Sequence, residues 1–239
     1  MSYKSVVDYY DDIFPLNPVT LQFLSQSFRP SFPLLDIACA CGAYTIGLAK
    51  KGYVMHGCDL DDEMIARAKE KLSVENVSPS FTVADMTDLL SHYPCGLFGG
   101  LFCIGNSLAH LADQQQLLQV CRQFYALLRD DGRIVLQIIN YDRVVSQKLN
   151  GLPTIENQAR GLRFERHYDV DFPKVKFTAR LLVDGKTETA VNHLYAITYN
   201  ELTSCLQEAG FRDLEPFGSF APSNFDINAS QPLILRARK

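Results

Sequence analysis

The chain has 239 residues, 47% of them hydrophobic and 21% charged, which suits one domain with an insertion better than two independent domains. A formal net charge of −4 supplies no broad basic field and argues against a nucleic-acid partner. Seven scattered cysteines fit reduced thiols in a cytoplasm rather than a disulfide framework, and no apolar run approaches the roughly 20 residues that span a bilayer.

The N-terminal residues Met1 to Lys4 lack a signal peptide's apolar core. Val6, Tyr9, Tyr10 and Ile13 fall at helical spacing over residues 5–14, and Pro15 closes the segment. A second helix is expected from Pro18 to Phe28, so residues 1–30 form a helical cover. Pro33 to Ala38 is an apolar run of the kind a buried parallel strand requires. Small residues follow, a helix runs from Tyr44 to Lys51, and Gly52 stops it. Tyr53 to Cys58 forms a second strand with Asp59 at its carboxyl end.

Strand, small-residue turn, helix, strand and acid together make the first half of a nucleotide-binding α/β sheet, with the acid placed to grip a ribose diol. The dinucleotide pattern G-x-G-x-x-G would need glycine at 38, 40 and 43, and Ala38, Ala40 and Ala43 stand there. Pyrophosphate lies almost against the backbone, so three Cβ atoms argue against NAD or FAD and an NAD-linked oxidoreductase. S-adenosylmethionine has no pyrophosphate.

Further along, a third strand over Pro79–Ala84 ends at Asp85-Met86, and a fourth over Leu97–Ile104 ends at Gly105-Asn106-Ser107. That end lies beside the first strand, at the switch point where open α/β sheets bind ligands, and Asn106 carries an amide donor and acceptor there. An amphipathic helix over Asp113–Leu128 turns through Asp130-Asp131-Gly132 into a fifth strand, Arg133–Ile139. Between 159 and 197 the alternation breaks. Gly161–Val170, Val175–Val183 and Glu188–Ala196 alternate as antiparallel strands, with Asp184-Gly185 as a hairpin turn. Arg163, Arg166, His167, Tyr168, His193 and Tyr195 are its candidates for substrate contact, and strand parity sends about half of them outward. A helix from Tyr199 to Ala209, then Phe211–Phe217 and Pro232–Ala237, complete the sheet. No set of His, Cys or acids has metal-ligand spacing, so no metal is expected.

Asp36-Ile37-Ala38-Cys39-Ala40-Cys41-Gly42 resembles motif I, D/E-x-G-x-G-x-G, of the class I S-adenosylmethionine-dependent methyltransferases, although only Asp36 and Gly42 match its strict form. Cys103 to Leu111 and Asn140-Tyr141-Asp142 resemble the glycine/sarcosine N-methyltransferase branch, and the likeness runs from the Tyr9-Tyr10-Asp11 region to the last strand. The resemblance implies one methyltransferase domain over 1–239: a Rossmann-like, seven-stranded, mostly parallel sheet with helices on both faces and an antiparallel last strand. The antiparallel insertion at 159–197 then serves as a lid. It implies S-adenosylmethionine as cofactor, S-adenosylhomocysteine as product, and a small-molecule methyl acceptor. No membrane partner is expected, and a homo-oligomer stays open.

By the same resemblance Tyr10, Asp36, Ala38, Cys39, Gly42, Asp59, Leu60, Asp85, Met86, Ile104, Asn106 and His110 surround the cofactor. Asp85 would take the adenine amino group and Met86 the ring, while Tyr10 would approach the methylsulfonium. His110 would contact the methionine end of the cofactor or bond to Asn106, and with Tyr10 it is the candidate for catalysis. Asn106, Asn140, Tyr141, Arg163 and Arg166 are the substrate candidates. An arginine that binds the amino-acid carboxylate in the glycine branch is Ile139 here, which argues against glycine unless Arg163 or Arg166 substitutes. The alternative reading is a catalytically silent cofactor-binding or assembly protein.

Overall fold

The computed structural model describes residues 4–221 and 223–239. Two helices, α1 (Lys4–Ile13) and α2 (Pro18–Ser27), precede β1 (Leu34–Ile37), α3 (Ala43–Lys50), β2 (Met55–Asp59), α4 (Asp62–Leu72), β3 (Ser80–Val83) and β4 (Phe98–Cys103). Then come α5 (Gln114–Leu127), β5 (Leu128–Ile139) and α6 (Tyr141–Ser146). Four strands follow, β6 (Gly151–Asn157), β7 (Leu162–Asp171), β8 (Lys174–Val183) and β9 (Lys186–Tyr195). The chain closes with α7 (Tyr199–Ala209), β10 (Arg212–Ser219), β11 (Ser223–Asn224) and β12 (Pro232–Arg238).

The main sheet runs β11-β10-β12-β5-β4-β1-β2-β3. β1 pairs in parallel with β2 and β4, while β12 is antiparallel to β5 and to β10. The two-residue β11 adds an eighth strand to the seven expected. β1 is buried at all four positions, as a strand covered on both faces must be. One side is closed by Phe23, Leu24 and Leu48 from α2 and α3, the other by Leu117, Phe124 and Leu206 from α5 and α7. Because β2 and β3 are added on one side of β1, and β4 and β5 on the other, the carboxyl ends of β1 and β4 open a crevice where the strand order reverses.

A second, antiparallel sheet of order β6-β7-β8-β9 follows α6. It begins at Gly151, earlier than the alternation suggested. Pro153 breaks the pattern of β6, yet β6 is an edge strand, where a missing N–H is tolerated. Asp184 (φ 50°) and Gly185 (φ 72°) make the left-handed pair a two-residue hairpin requires. Asp130-Asp131-Gly132 lies inside β5 as an irregularity, with Asp131 at φ 60° and a register shift against β4 between Phe98 and Gly100.

α1 bridges the two sheets. Ile13 packs with Leu162, Phe164 and Leu181 of the second sheet, and Val7 packs with Ala40, Cys41 and Met64 of the main one.

Candidate functional site

The turn after β1 alternates in hand. Ala38, Ala40 and Gly42 have φ of 58°, 48° and 72°, all in the left-handed region. The positions that need glycine are therefore 38, 40 and 42, every second residue, rather than 38, 40 and 43. Ala43 opens α3 and needs none. An L-residue in this region costs about 1–2 kcal/mol, and the neighbouring bonds hold two alanines in it. The Ala40 N–H donates to Asp59 Oδ2 at 2.8 Å, the Cys39 N–H to the Cys58 carbonyl at 2.9 Å, and Lys71 Nζ to the Cys41 carbonyl at 2.9 Å. Gly42 has a second reason to be glycine: a Cβ there would stand 2.6 Å from the buried Phe81 ring.

The two acids of this region differ in role. Asp36 was expected against the cofactor, but its side chain points into the protein, 3% exposed, and accepts the Thr45 hydroxyl at 2.6 Å. Burial pushes its pKa up to about 8, the Thr45 hydrogen bond working the other way. It ties the first turn of α3 to β1 and is a positioning residue. Cys39 likewise packs inward, with Ile46, Ile65 and Phe81. Only its backbone borders the turn.

Asp59 is half-buried at the end of β2. Its Oδ2 accepts from Ala40 and its Oδ1 from the Asp61 N–H at 3.0 Å, which leaves each oxygen a second lone pair. Burial raises its pKa despite those bonds. Next to it Leu60 is 68% exposed, a bare aliphatic surface beside an acid. Asp85 spends Oδ1 on the Thr87 N–H at 2.8 Å, and Met86 lies half-buried against the core. Aliphatic surface, two partly free carboxylates and a turn lined with Ala and Gly suit an adenosine with no pyrophosphate.

At the carboxyl end of β4, Ile104 is half-buried and Asn106 takes φ 70°. Asn106 was expected to aim its amide at a ligand. Instead its Nδ2 donates to the Tyr141 hydroxyl at 3.0 Å and its Oδ1 accepts the Ile139 N–H at 2.9 Å, so it braces β4 against β5. Gln137 helps, its Oε1 accepting the Gly105 N–H at 2.7 Å. Asn140, also expected to meet substrate, is engaged within the protein. It is 1% exposed, its Nδ2 donates to the carbonyls of Ile227 and Ser230, and its Oδ1 accepts the Arg143 N–H. With donors and acceptor engaged inside the protein, its side chain caps α6. Tyr141 is buried, and desolvation lifts its hydroxyl to about 12.

His110 does not bond to Asn106. It ends the short helical turn Ser107–His110, and among the described residues no hydrogen bond engages its ring. The residue presents area to solvent, yet surrounding protein desolvates the imidazolium and lowers its pKa, so the ring is neutral at pH 7.

The cover over these strand ends is aromatic. Tyr10 rests on Ala40 and Cys41, its phenol held un-ionised first by burial and then by the Asp59 charge. Its ring stands 5.2 Å from that of Phe14, which meets Phe164 of β7 edge-on at 5.7 Å. Strand parity then sorts the candidates of β7, while His193 and Tyr195 share a parity on β9 and differ because Tyr195 lies at its buried end. Arg163, His167 and His193 are exposed, and Arg163 is paired with Glu165 at 2.9 Å. Arg166 and Tyr168 face inward, and Tyr195 is buried against Glu201. Thr45, Phe14 and Gln137 were missed. Phe14 alone had a signal, one helical turn beyond Tyr10.

Among the described residues no group of three or more His, Cys, Asp or Glu is placed to hold a metal, and no helix is long and apolar enough to cross a membrane.

Residues 34–132 match the family described as Methyltransferase domain. The chain is 24% identical to the glycine/sarcosine N-methyltransferase of Aphanothece halophytica, over 78% of this chain and 69% of that one. It spans less of other curated relatives: 58% of one from Geobacillus and 32% of the glycine/sarcosine/dimethylglycine N-methyltransferase of Actinopolyspora halophila. Among solved structures, an S-adenosylmethionine-dependent methyltransferase from Clostridium acetobutylicum superposes with a TM-score of 0.83 at 16% identity, over 99% of this chain and 98% of that one. The S-adenosylmethionine-bound amino pentose methyltransferase CalS10 from Micromonospora echinaspora gives 0.74 at 15%, over 100% and 98%. At these identities the structural likeness is one of fold.

Proposed function

We propose that this chain, whose residues 34–132 match a methyltransferase domain and whose fold is that of S-adenosylmethionine-dependent methyltransferases, is a class I enzyme of that kind and moves a methyl group onto a small molecule by direct in-line transfer. The observation that carries the reading is the turn after β1, joined through Ala40 to the Asp59 carboxylate, with Leu60 bare beside it. Asp59 would hold the ribose diol, Leu60 and Met86 the purine faces, and the free oxygen of Asp85 the purine amino group. When bound, the cofactor supplies a methyl already activated on a sulfonium.

What remains for the protein is alignment and exclusion of water. Tyr10, Phe14 and Phe164 form a nearly continuous aromatic cover from the turn to the second sheet, and ring faces suit a cationic centre. Asn106 and Tyr141 fix the far wall. For an amine acceptor, the neutral ring of His110, in the helical turn that follows β4, would take up a proton. We read residues 4–221 and 223–239 as one catalytic unit whose second sheet serves as its lid. Seven free cysteines, six of them buried, suit a reducing compartment such as the cytoplasm.

Calorimetry tests the reading. S-adenosylmethionine should bind at micromolar concentration and NAD should give no heat. Labelled methyl should then move to a member of a screen of small amines, acids and phenols. Heat with NAD alone would overturn it.

A further inference from the structure

We infer that the methyl acceptor carries a carboxylate and that Arg166 and Tyr168 receive it; this rests on the methyltransferase reading above. On β7 the even positions Leu162, Phe164, Arg166, Tyr168 and Val170 face the interior, and Arg166 is the one charged residue among them. The neighbouring arginines have carboxylates: Arg163 pairs with Glu165 at 2.9 Å and with Glu156 at 3.5 Å, and Arg160 with Asp12 at 3.1 Å. Arg166 has none among the described residues. One Nη donates to the Pro153 carbonyl at 2.6 Å, while its Nε is buried and unpartnered. Two residues along the same face, the Tyr168 hydroxyl is also buried and unpartnered.

Buried donors left unsatisfied are rare, and the half-buried Arg166 guanidinium has no carboxylate to compensate it among the described residues. Guanidinium does not shed its proton, so the mismatch persists until an anion arrives. Two donors on neighbouring side chains suit a group with two acceptor oxygens in one plane: one oxygen on the Nε–H, the other on the phenol. Their placement ties the pair to the site. Arg166 lies over the Phe164 ring, which joins through Phe14 to Tyr10 above the β1 turn. Tyr168 packs in the cluster of Tyr141, whose hydroxyl meets Asn106 at the end of β4. An acid held here would point its other end at the crevice between β1 and β4.

The test uses protein loaded with S-adenosylhomocysteine and matched pairs, glycine with glycinamide and 4-aminobenzoate with 4-aminobenzamide, extended to other small acids and their amides. Nitrogen-15 NMR follows the Arg166 Nε–H. Acids should move that resonance and amides should not. For any acid that is methylated, Arg166→Met should raise KM at least tenfold with kcat changed less than threefold and cofactor affinity unchanged. Tyr168→Phe should raise KM about threefold. The inference falls if acids and amides act alike, if no acid moves the resonance, or if Arg166→Met weakens cofactor binding instead. Should Arg166→Met fail to fold, the resonance and Tyr168→Phe still decide. Absence of cofactor binding in calorimetry would sink the methyltransferase reading. Cofactor binding with no response to acids would sink this inference alone.

Discussion

The backbone N–H of Ala40 donates to the carboxylate of Asp59 across 2.8 Å, joining the turn after β1 to the end of β2. One carboxylate thereby shapes the turn and keeps lone pairs for a sugar. The two duties separate by substitution. Asp59→Asn retains one oxygen, for the Ala40 N–H, and turns an amide nitrogen toward the Asp61 N–H, so stability should fall by about 1–3 kcal/mol with the fold kept. The charge-assisted bonds to the ribose are lost, at about 1.5–3 kcal/mol, so affinity for S-adenosylmethionine should fall roughly 10- to 150-fold. Calorimetry on the folded variant decides. Unchanged affinity would remove Asp59 from the site.

Two alanines in left-handed conformation mark stored strain. Ala40→Gly should relieve about 1–2 kcal/mol in the folded state while adding unfolded-state freedom worth about 0.5–1 kcal/mol. The net is a gain of a few tenths to about 1 kcal/mol in urea unfolding, and Ala38→Gly should behave alike. Gly42→Ala has the opposite sign, because φ is 72° and Phe81 stands 2.6 Å from the new methyl. A loss of about 2 kcal/mol or more is expected. If all three changes destabilise equally, the strain account is wrong.

How much of this was legible in the sequence follows from which interactions are local. The place of Asp59 at the end of β2 was readable because a strand followed by an acid is a pattern of neighbours along the chain. β6 was not, because Pro153 argues against a strand unless its edge position is known. The amides of Asn106 and Asn140 looked free because their partners, at Ile139, Tyr141, Ile227 and Ser230, come from other segments. Strand parity divides Arg163 from Arg166. No local rule reveals that Arg166 has no carboxylate, since that depends on every element packed around it.

Asp36 gives a pH prediction. Its pKa rises from 3.8 to about 8 through burial, so between these values the folded chain holds a proton that the unfolded chain has released. The resulting stability is full below pH 3.8, declines as pH rises, and is lost through pH 8. Asp36→Asn keeps an acceptor for Thr45 and cannot titrate. The wild-type stability minus that of the variant should therefore fall from pH 4.5 to 7.5, by up to about 1.4 kcal/mol per pH unit. Urea titrations at four pH values would show it. A flat difference would mean that Asp36 stays ionised in the fold.

The last prediction concerns α1, which is strapped to both sides of the crevice by charge. Asp8 pairs with Arg67 of α4, and Asp11 with Lys71 of α4 at 2.5 Å. Asp12 pairs with Arg160 at 3.1 Å, and the Tyr9 hydroxyl donates to Asp184 of the hairpin at 3.3 Å. All are partly exposed, so each is worth about 0–1 kcal/mol and is screened by salt. Under α1 lies Tyr10, directly on the turn that Asp59 holds. A helix so attached should release more readily as ionic strength rises. Dissociation of S-adenosylhomocysteine, followed by stopped-flow fluorescence of a labelled analogue, should quicken severalfold between 50 and 500 mM salt (concentrations set by roughly threefold shortening of the screening length). The double variant Asp11→Asn, Asp12→Asn should be fast already at low salt and lose most of that dependence. Unfolding midpoints should move little, because the pairs are at the surface. If dissociation ignores both salt and the double variant, α1 is a fixed wall, and the cofactor enters elsewhere.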